Sequence, residues 1–197
     1  MNSESEAILV DVFVQRCFAT ADARARERPD TRRIELCLDL HGILLERSYL
    51  ARDGERILCH FRAPDAESLR VALHVAGVDY DALWTGVVRN IPGAAEFVLV
   101  VERVFDRPVS KEQERSCRAR MARRLQDLGV EPARVLLSRC GKRILWLCRA
   151  STPAAVTAAQ TGLAGQGLHV WCCETVSPKD RWQAVEGGVP EPLAERA

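Results

Sequence analysis

Apolar and polar residues alternate along several short stretches of the chain, separated by stretches with helical spacing. In the first, Ala7 to Phe18, Val10, Val12, Val14 and Phe18 fall on one face and Asp11, Phe13, Gln15 and Cys17 on the other, which is the period of a strand. Both faces are largely apolar, the mark of a central strand. Ile34, Cys37, Leu38 and His41 then recur at helical spacing, so a helix is predicted from near Asp30 to Gly42, where glycine supplies the left-handed residue that ends it. Ile43 to Ala51 and Arg56 to Arg62 read as a hairpin around Arg52-Asp53-Gly54-Glu55, whose Asp-Gly suits a type I′ turn. A second helix opens at Pro64-Asp65, carries Leu69 and Leu73 on one face and closes at Gly77; a last strand runs from Leu83 to Ile91.

The whole order then returns. Gly54-Glu55-Arg56-Ile57-Leu58-Cys59-His60-Phe61-Arg62-Ala63 reappears 87 positions later as Gly141-Lys142-Arg143-Ile144-Leu145-Trp146-Leu147-Cys148-Arg149-Ala150, and residues 7–91 against 94–178 give 20 identities in 85 ungapped pairs. That excess argues for duplication and fusion. In the second copy Ser110 and Gln113 have capping-box spacing for a longer helix that ends before Gly129. Pro132 is expected to delay the following strand, and Thr152-Pro153 opens the last helix before a strand at Leu168 to Val176. Each half therefore reads β-α-β-β-α-β, the ferredoxin-like order. Such a unit covers one sheet face with helices and leaves the other bare, so two fused units are expected to pack their bare faces together. The predicted fold is α+β: two tandem ferredoxin-like repeats, 7–91 and 94–178, packed sheet to sheet as an intrachain α/β barrel pseudo-dimer. Pro92-Gly93 would link them, and 1–6 and 179–197 read as flexible tails, with Trp182 docking back.

Composition narrows the function classes. Lys and Arg total 28 against 27 Asp and Glu, so the net charge of +1 offers no global field for nucleic acid or anionic lipid. The basic side is nearly all Arg, which suits planar anion contacts but is also what an Arg-rich proteome would give. The 8 Cys contain no C-x-x-C pair, the first residues lack a secretory pattern, and no stretch is long and apolar enough for a membrane span. A cytoplasmic, reducing setting is expected, with the thiols reduced and inert and the protein a monomer acting as a fused dimer.

Ser48-Tyr49, Cys59 and Ala63-Pro64 in the first half, with Val101-Glu102-Arg103 and Phe105 in the second, resemble the motifs of a family of small bacterial ferredoxin-like proteins known for nickel binding. The resemblance implies the fold just described and a metal site to which Cys59 and Glu102 would contribute. Two positions where the family pattern has His carry Arg47 and Ala72, and a guanidinium cannot ligate a metal, so the site is expected to be degenerate. No cofactor is expected apart from the nickel that the resemblance implies.

Residue by residue, four side chains stand out as ligand-binding candidates. Arg16 and Arg103 occupy equivalent ends of the first strands, where each would hold an anion at a barrel rim or form a structural ion pair. His60 and Tyr49 sit on central strands, as acid–base groups or as packed core; Trp84 and Trp171 are equivalent and would pack the seam between halves or stack on a ligand. The leading expectation is a non-catalytic small-ligand-binding protein related to the nickel binders. The alternative is a small-molecule enzyme of the α/β-barrel monooxygenase or isomerase type, which would need a charged or acid–base group inside the barrel with a shifted pKa; a second alternative, implied by the resemblance, is a functional nickel-binding protein.

Overall fold

A computed structural model describes residues 8–20, 30–90, 98–163 and 167–176; the expected linker at Pro92-Gly93, both tails and Trp182 lie outside them. The described elements run β1 (Val10–Cys17), α1 (Thr31–Leu40), β2 (Leu44–Ala51), β3 (Arg56–Ala63), α2 (Ala66–Ala76), β4 (Ala82–Asn90), β5 (Leu99–Val104), α3 (Lys111–Asp127), β6 (Val130–Ser138), β7 (Arg143–Ala150), α4 (Pro153–Leu163) and β8 (Leu168–Val176). This is an α+β chain with the ferredoxin-like order twice over.

Local chemistry sets the helix starts. Asp30 accepts from the backbone N–H of Arg32 and Arg33, Asp65 accepts from Ser68, and Ser110 and Gln113 form a reciprocal capping box. Each cap satisfies amide groups that the first turn leaves unpaired, worth about 1 kcal/mol apiece. Two hairpin details differ from the sequence reading. Gly54 and Gly141 both have positive φ, 75° and 69°, but no non-glycine residue does, so Asp53 is not in the left-handed region and the turn is not type I′. Gly54 N–H bonds Ala51 C=O, and Gly141 N–H bonds Ser138 C=O, which makes each loop an ordinary turn closed by a left-handed glycine. Pro132 does not delay β6; the strand begins at Val130 and absorbs the proline at a bulge between Pro132 and Arg134.

All eight strands are antiparallel and hydrogen-bonded in the order β1-β3-β2-β8-β5-β7-β6-β4, with β4 pairing back to β1. Each half contributes four strands in the order 4-1-3-2, and the halves meet along β2–β8 and β4–β6. Alternation along the strands sorts the core into three parts. Val12, Val14, Cys59 and Phe61 point outward under α1 and α2, and Val101, Ile144, Trp146 and Cys148 point outward under α3 and α4. Phe13, Tyr49, Leu58, Val100, Leu136, Leu145, Leu147 and Trp171 point inward and fill the space enclosed by the sheet. Full burial of each such side chain contributes about 1.5–3 kcal/mol, so the shared interior ties the halves together.

Candidate active site

The interior is apolar at mid-height and charged at both ends, because each strand's alternation continues past the packed layer. At one end, where β1 and β5 finish, Glu102 is buried to 2% exposure and accepts from Arg143 Nη1 at 2.6 Å, with Arg56 Nη1 at 3.6 Å. Arg143 also donates to Gln15 Oε1 at 2.6 Å. The guanidinium of Arg56 lies over Trp171 and that of Arg143 over Trp84, with 5.9 and 4.5 Å to the ring centroids. Each contact joins an arginine of one half to a tryptophan of the other, so the paired tryptophans pack the seam.

The opposite end holds acid–base groups. Asp11, on β1, has its Oδ1 2.8 Å from His60 Nε2 on β3, and the imidazole stacks on Phe13 with centroids 4.8 Å apart. Burial pushes the His60 pKa down, opposed by the hydrogen bond and charge of Asp11. The ring is therefore neutral at pH 7, donating Nε2–H to Asp11 and keeping the lone pair on Nδ1. Tyr49, fully buried on β2, accepts from Arg134 Nη1 at 3.2 Å; burial pushes its pKa up, against the charges of Arg134 and Arg47. The phenol stays protonated and can donate.

Strand register brings these two groups together. Arg47 is opposite His60, and Tyr49 is opposite Leu58, so Tyr49 is the diagonal neighbour of His60 on the inward face. Diagonal neighbours in an antiparallel pair lie about 7–8 Å apart, close enough for both side chains to act on one group. Arg47 shares that face because it lies two residues from Tyr49 in an unbroken stretch of β2, the bulge at Leu45/Arg47 coming before it.

Of the four candidates from the sequence, His60 and Tyr49 share the inward face as diagonal neighbours, whereas Arg16 and Arg103 lie on the outer face, stacked over Phe18 and Phe105 at 4.9 and 5.2 Å. Asp11 and Arg134 were not singled out; they are 49 and 85 residues from the groups they hold. The 87-residue offset did carry a signal, since it matches Arg47 with Arg134 and Arg62 with Arg149 on inward positions.

The metal expectation is corrected. Cys59 faces the helices, 3.4 Å from the Ser48 hydroxyl, while Glu102 faces the interior of the other half and is held by arginines. Among the described residues no three of His, Cys, Asp and Glu cluster as a metal site would require. All eight cysteines are free. They are not uniformly inert: burial raises Cys173 to about 12, but contact with the Ser138 hydroxyl holds the exposed Cys140 below the usual thiol value.

No family model matches the chain, and no curated protein matches it in sequence. Solved structures similar to it include a mutant chlorite dismutase from Candidatus Nitrospira defluvii, 13% identical with a TM-score of 0.47, over 93% of this chain and 97% of that one. An anthrone oxidase-like protein is 11% identical with a TM-score of 0.44, over 87% of this chain and 94% of that one. A candidate monooxygenase from Lactobacillus acidophilus is 11% identical with a TM-score of 0.41, over 84% and 94%. These named likenesses are not to nickel-binding proteins, so both the family resemblance and the non-catalytic function drawn from it are corrected. At such identities and scores they say nothing of the chemistry, which has to come from the residues.

Proposed function

We propose that the protein is a small-molecule enzyme of the α/β-barrel type that catalyses proton transfer, an isomerase acting on an enolisable carbonyl compound. The observation that carries this is the pair of buried, inward-facing titratable groups with pKa values pushed to opposite sides, each held by a charged partner: His60 by Asp11 and Tyr49 by Arg134. Neutral His60, its Nε2–H fixed on Asp11, takes a proton from the carbon beside a carbonyl through Nδ1. The carbonyl oxygen gains the negative charge and receives the Tyr49 O–H hydrogen bond, strengthened by Arg134. Where the substrate carries a β,γ double bond, the imidazolium, stabilised by Asp11, then returns the proton to the γ carbon and the double bond moves into conjugation, so no atom is gained or lost. Access runs past Arg47, Arg62, Arg134 and Arg149, all half-exposed, so the route is lined by flexible side chains.

The test is deuterium exchange. Small ketones and keto acids are incubated with the full chain in D2O and followed by NMR for label at the carbon next to the carbonyl. Wild type is expected to label at least one compound, and His60→Gln and Tyr49→Phe to lose that activity while melting cooperatively. Exchange by folded His60→Gln at the wild-type rate, or no exchange by wild type on any compound, would sink the reading.

A further inference from the structure

The end of the barrel that holds His60 and Tyr49 also gathers four arginines. Alternation puts Arg47 on β2, Arg62 on β3, Arg134 on β6 and Arg149 on β7 on the inward face at this end. They form two equivalent pairs, 47 with 134 and 62 with 149. The carboxylates here are Asp11, committed to His60; Glu131, which takes Arg149 at 3.4 Å; and Glu46, exposed on the β2 bulge. Four guanidiniums thus face three carboxylates. Among the described residues Arg47 and Arg62 have no hydrogen bond or ion pair, and Arg62 Nε is buried without a partner. A buried donor on a charged group left unsatisfied is costly, and both residues flank the Asp11–His60 pair: Arg62 is opposite Asp11 and Arg47 opposite His60.

We infer that Arg47 and Arg62 bind the carboxylate of the substrate, so the compound turned over is a small organic carboxylate bearing the enolisable carbonyl. This rests on the proton-transfer reading of the same site and names its substrate class. A planar guanidinium presents paired N–H donors that match the two oxygens of a carboxylate. Two of them beside the base would hold the anion while the carbonyl reaches Tyr49. The fixed positive charge also favours the enolate that forms there.

The experiment is calorimetric titration of the full chain with malonate, a non-reacting dicarboxylate, and with malonamide, its neutral counterpart, at low and moderate salt. Malonate is expected to bind one-to-one and more weakly as salt rises, with malonamide showing no saturable heat. Arg62→Gln and Arg47→Gln should each weaken malonate at least tenfold. Arg62→Lys should fall between, and Arg70→Gln, on the outer surface of α2, should change affinity less than twofold. Melting curves confirm that each variant is folded, and the lysine variant keeps the test alive if a glutamine variant is not. Absence of saturable malonate binding, equal binding of malonamide, or full affinity in both folded glutamine variants overturns the inference. The two readings fail separately. Labelling of neutral ketones without malonate binding sinks the carboxylate assignment alone, and malonate binding, retained in His60→Gln, with no labelling of any carbonyl compound sinks proton transfer alone.

Discussion

Asp11, His60 and Tyr49 in the first half stand where the second half has Val98, Leu147 and Leu136, while Arg47, Arg56 and Arg62 recur as Arg134, Arg143 and Arg149. The halves agree in the arginines at the two ends and differ in the carboxylates and interior groups those arginines face. Leu136 and Leu147 are fully buried and simply fill space, so the second half supplies the wall against which the first half's polar groups work. The same asymmetry appears in size. Phe13 faces Gly86 territory in the first half; the equivalent positions carry Val100 and Cys173, a smaller residue beside a larger one. A duplicated shell can diverge in this way because total interior volume, rather than the symmetry of each pair, sets the packing. At the other end one carboxylate serves two arginines, since Gln15 occupies the position equivalent to Glu102.

The comparison can be broken most decisively at positions 60 and 147. His60→Gln is expected to lower carbonyl exchange by about 10²–10⁴, the worth of a general base, with little change in melting. Leu147→Ala should do the reverse, costing about 2–5 kcal/mol of stability in denaturant titration while each folded molecule keeps its exchange rate. If both variants lose exchange equally, the division of labour between halves is wrong.

Next in size is the pair Glu102→Gln and Gln15→Glu. Removing the buried carboxylate from Arg143 and Arg56 should cost about 3 kcal/mol, the lower end for breaking a buried pair because both arginines are partly exposed. Supplying a second carboxylate at position 15 should change stability by about 1 kcal/mol or less. Urea midpoints of the two variants measure the difference directly.

Gly86→Ala is expected to cost about 2 kcal/mol, since a Cβ there would lie 2.6 Å from Phe13 Cε2 and 2.8 Å from the Leu137 carbonyl oxygen. Adding Phe13→Val, which copies the second half, should recover part of that loss. No recovery would mean that the backbone carbonyl, rather than the ring, is the obstacle.

A smaller effect is expected from pH. The folded-state pKa of His60 is lowered, so below the ordinary imidazole range the unfolded chain binds the extra proton and the native state does not. The stability tied to neutral His60 is complete above about pH 6.5 and is lost as pH falls toward the folded value. Melting temperature should drop between pH 7.5 and 5.5, and His60→Phe should flatten that slope. Smallest of all, a limiting thiol reagent should label the exposed Cys140 before the half-buried Cys172, because contact with Ser138 lowers the first thiol's pKa and burial raises the second's. Mass spectrometry of partially labelled protein reads the order.

Element order was legible in the residues because caps, turn glycines and hydrophobic periods act within a few positions. Asp30, Asp65 and Ser110 start helices wherever they are put, and the repeat made each half a check on the other. The candidate site was half legible. His60 and Tyr49 stood out as polar groups on central strands, but Arg16 and Arg103 were chosen for their position at strand ends, and strand parity turns them toward the helices. The motif resemblance misled because Ser48, Cys59 and Ala63 are partners in packing here: Ser48 and Cys59 bond each other beneath the helices, and Ala63 is fully buried.

By itself, then, the sequence determined two copies of a β-α-β-β-α-β unit, each with one sheet face too apolar to stay bare, since burial of that face is the dominant favourable term for any chain so patterned. Only the tertiary structure decided which charged residues meet. Asp11 finds His60 through the register of β1 on β3, Arg134 reaches Tyr49 between strands that do not pair, and alternation from Tyr49 and Leu136 carries Arg47 and Arg134 inward. A one-residue slip in the pairing of these strands would send those side chains to the other face, and no local propensity specifies the register.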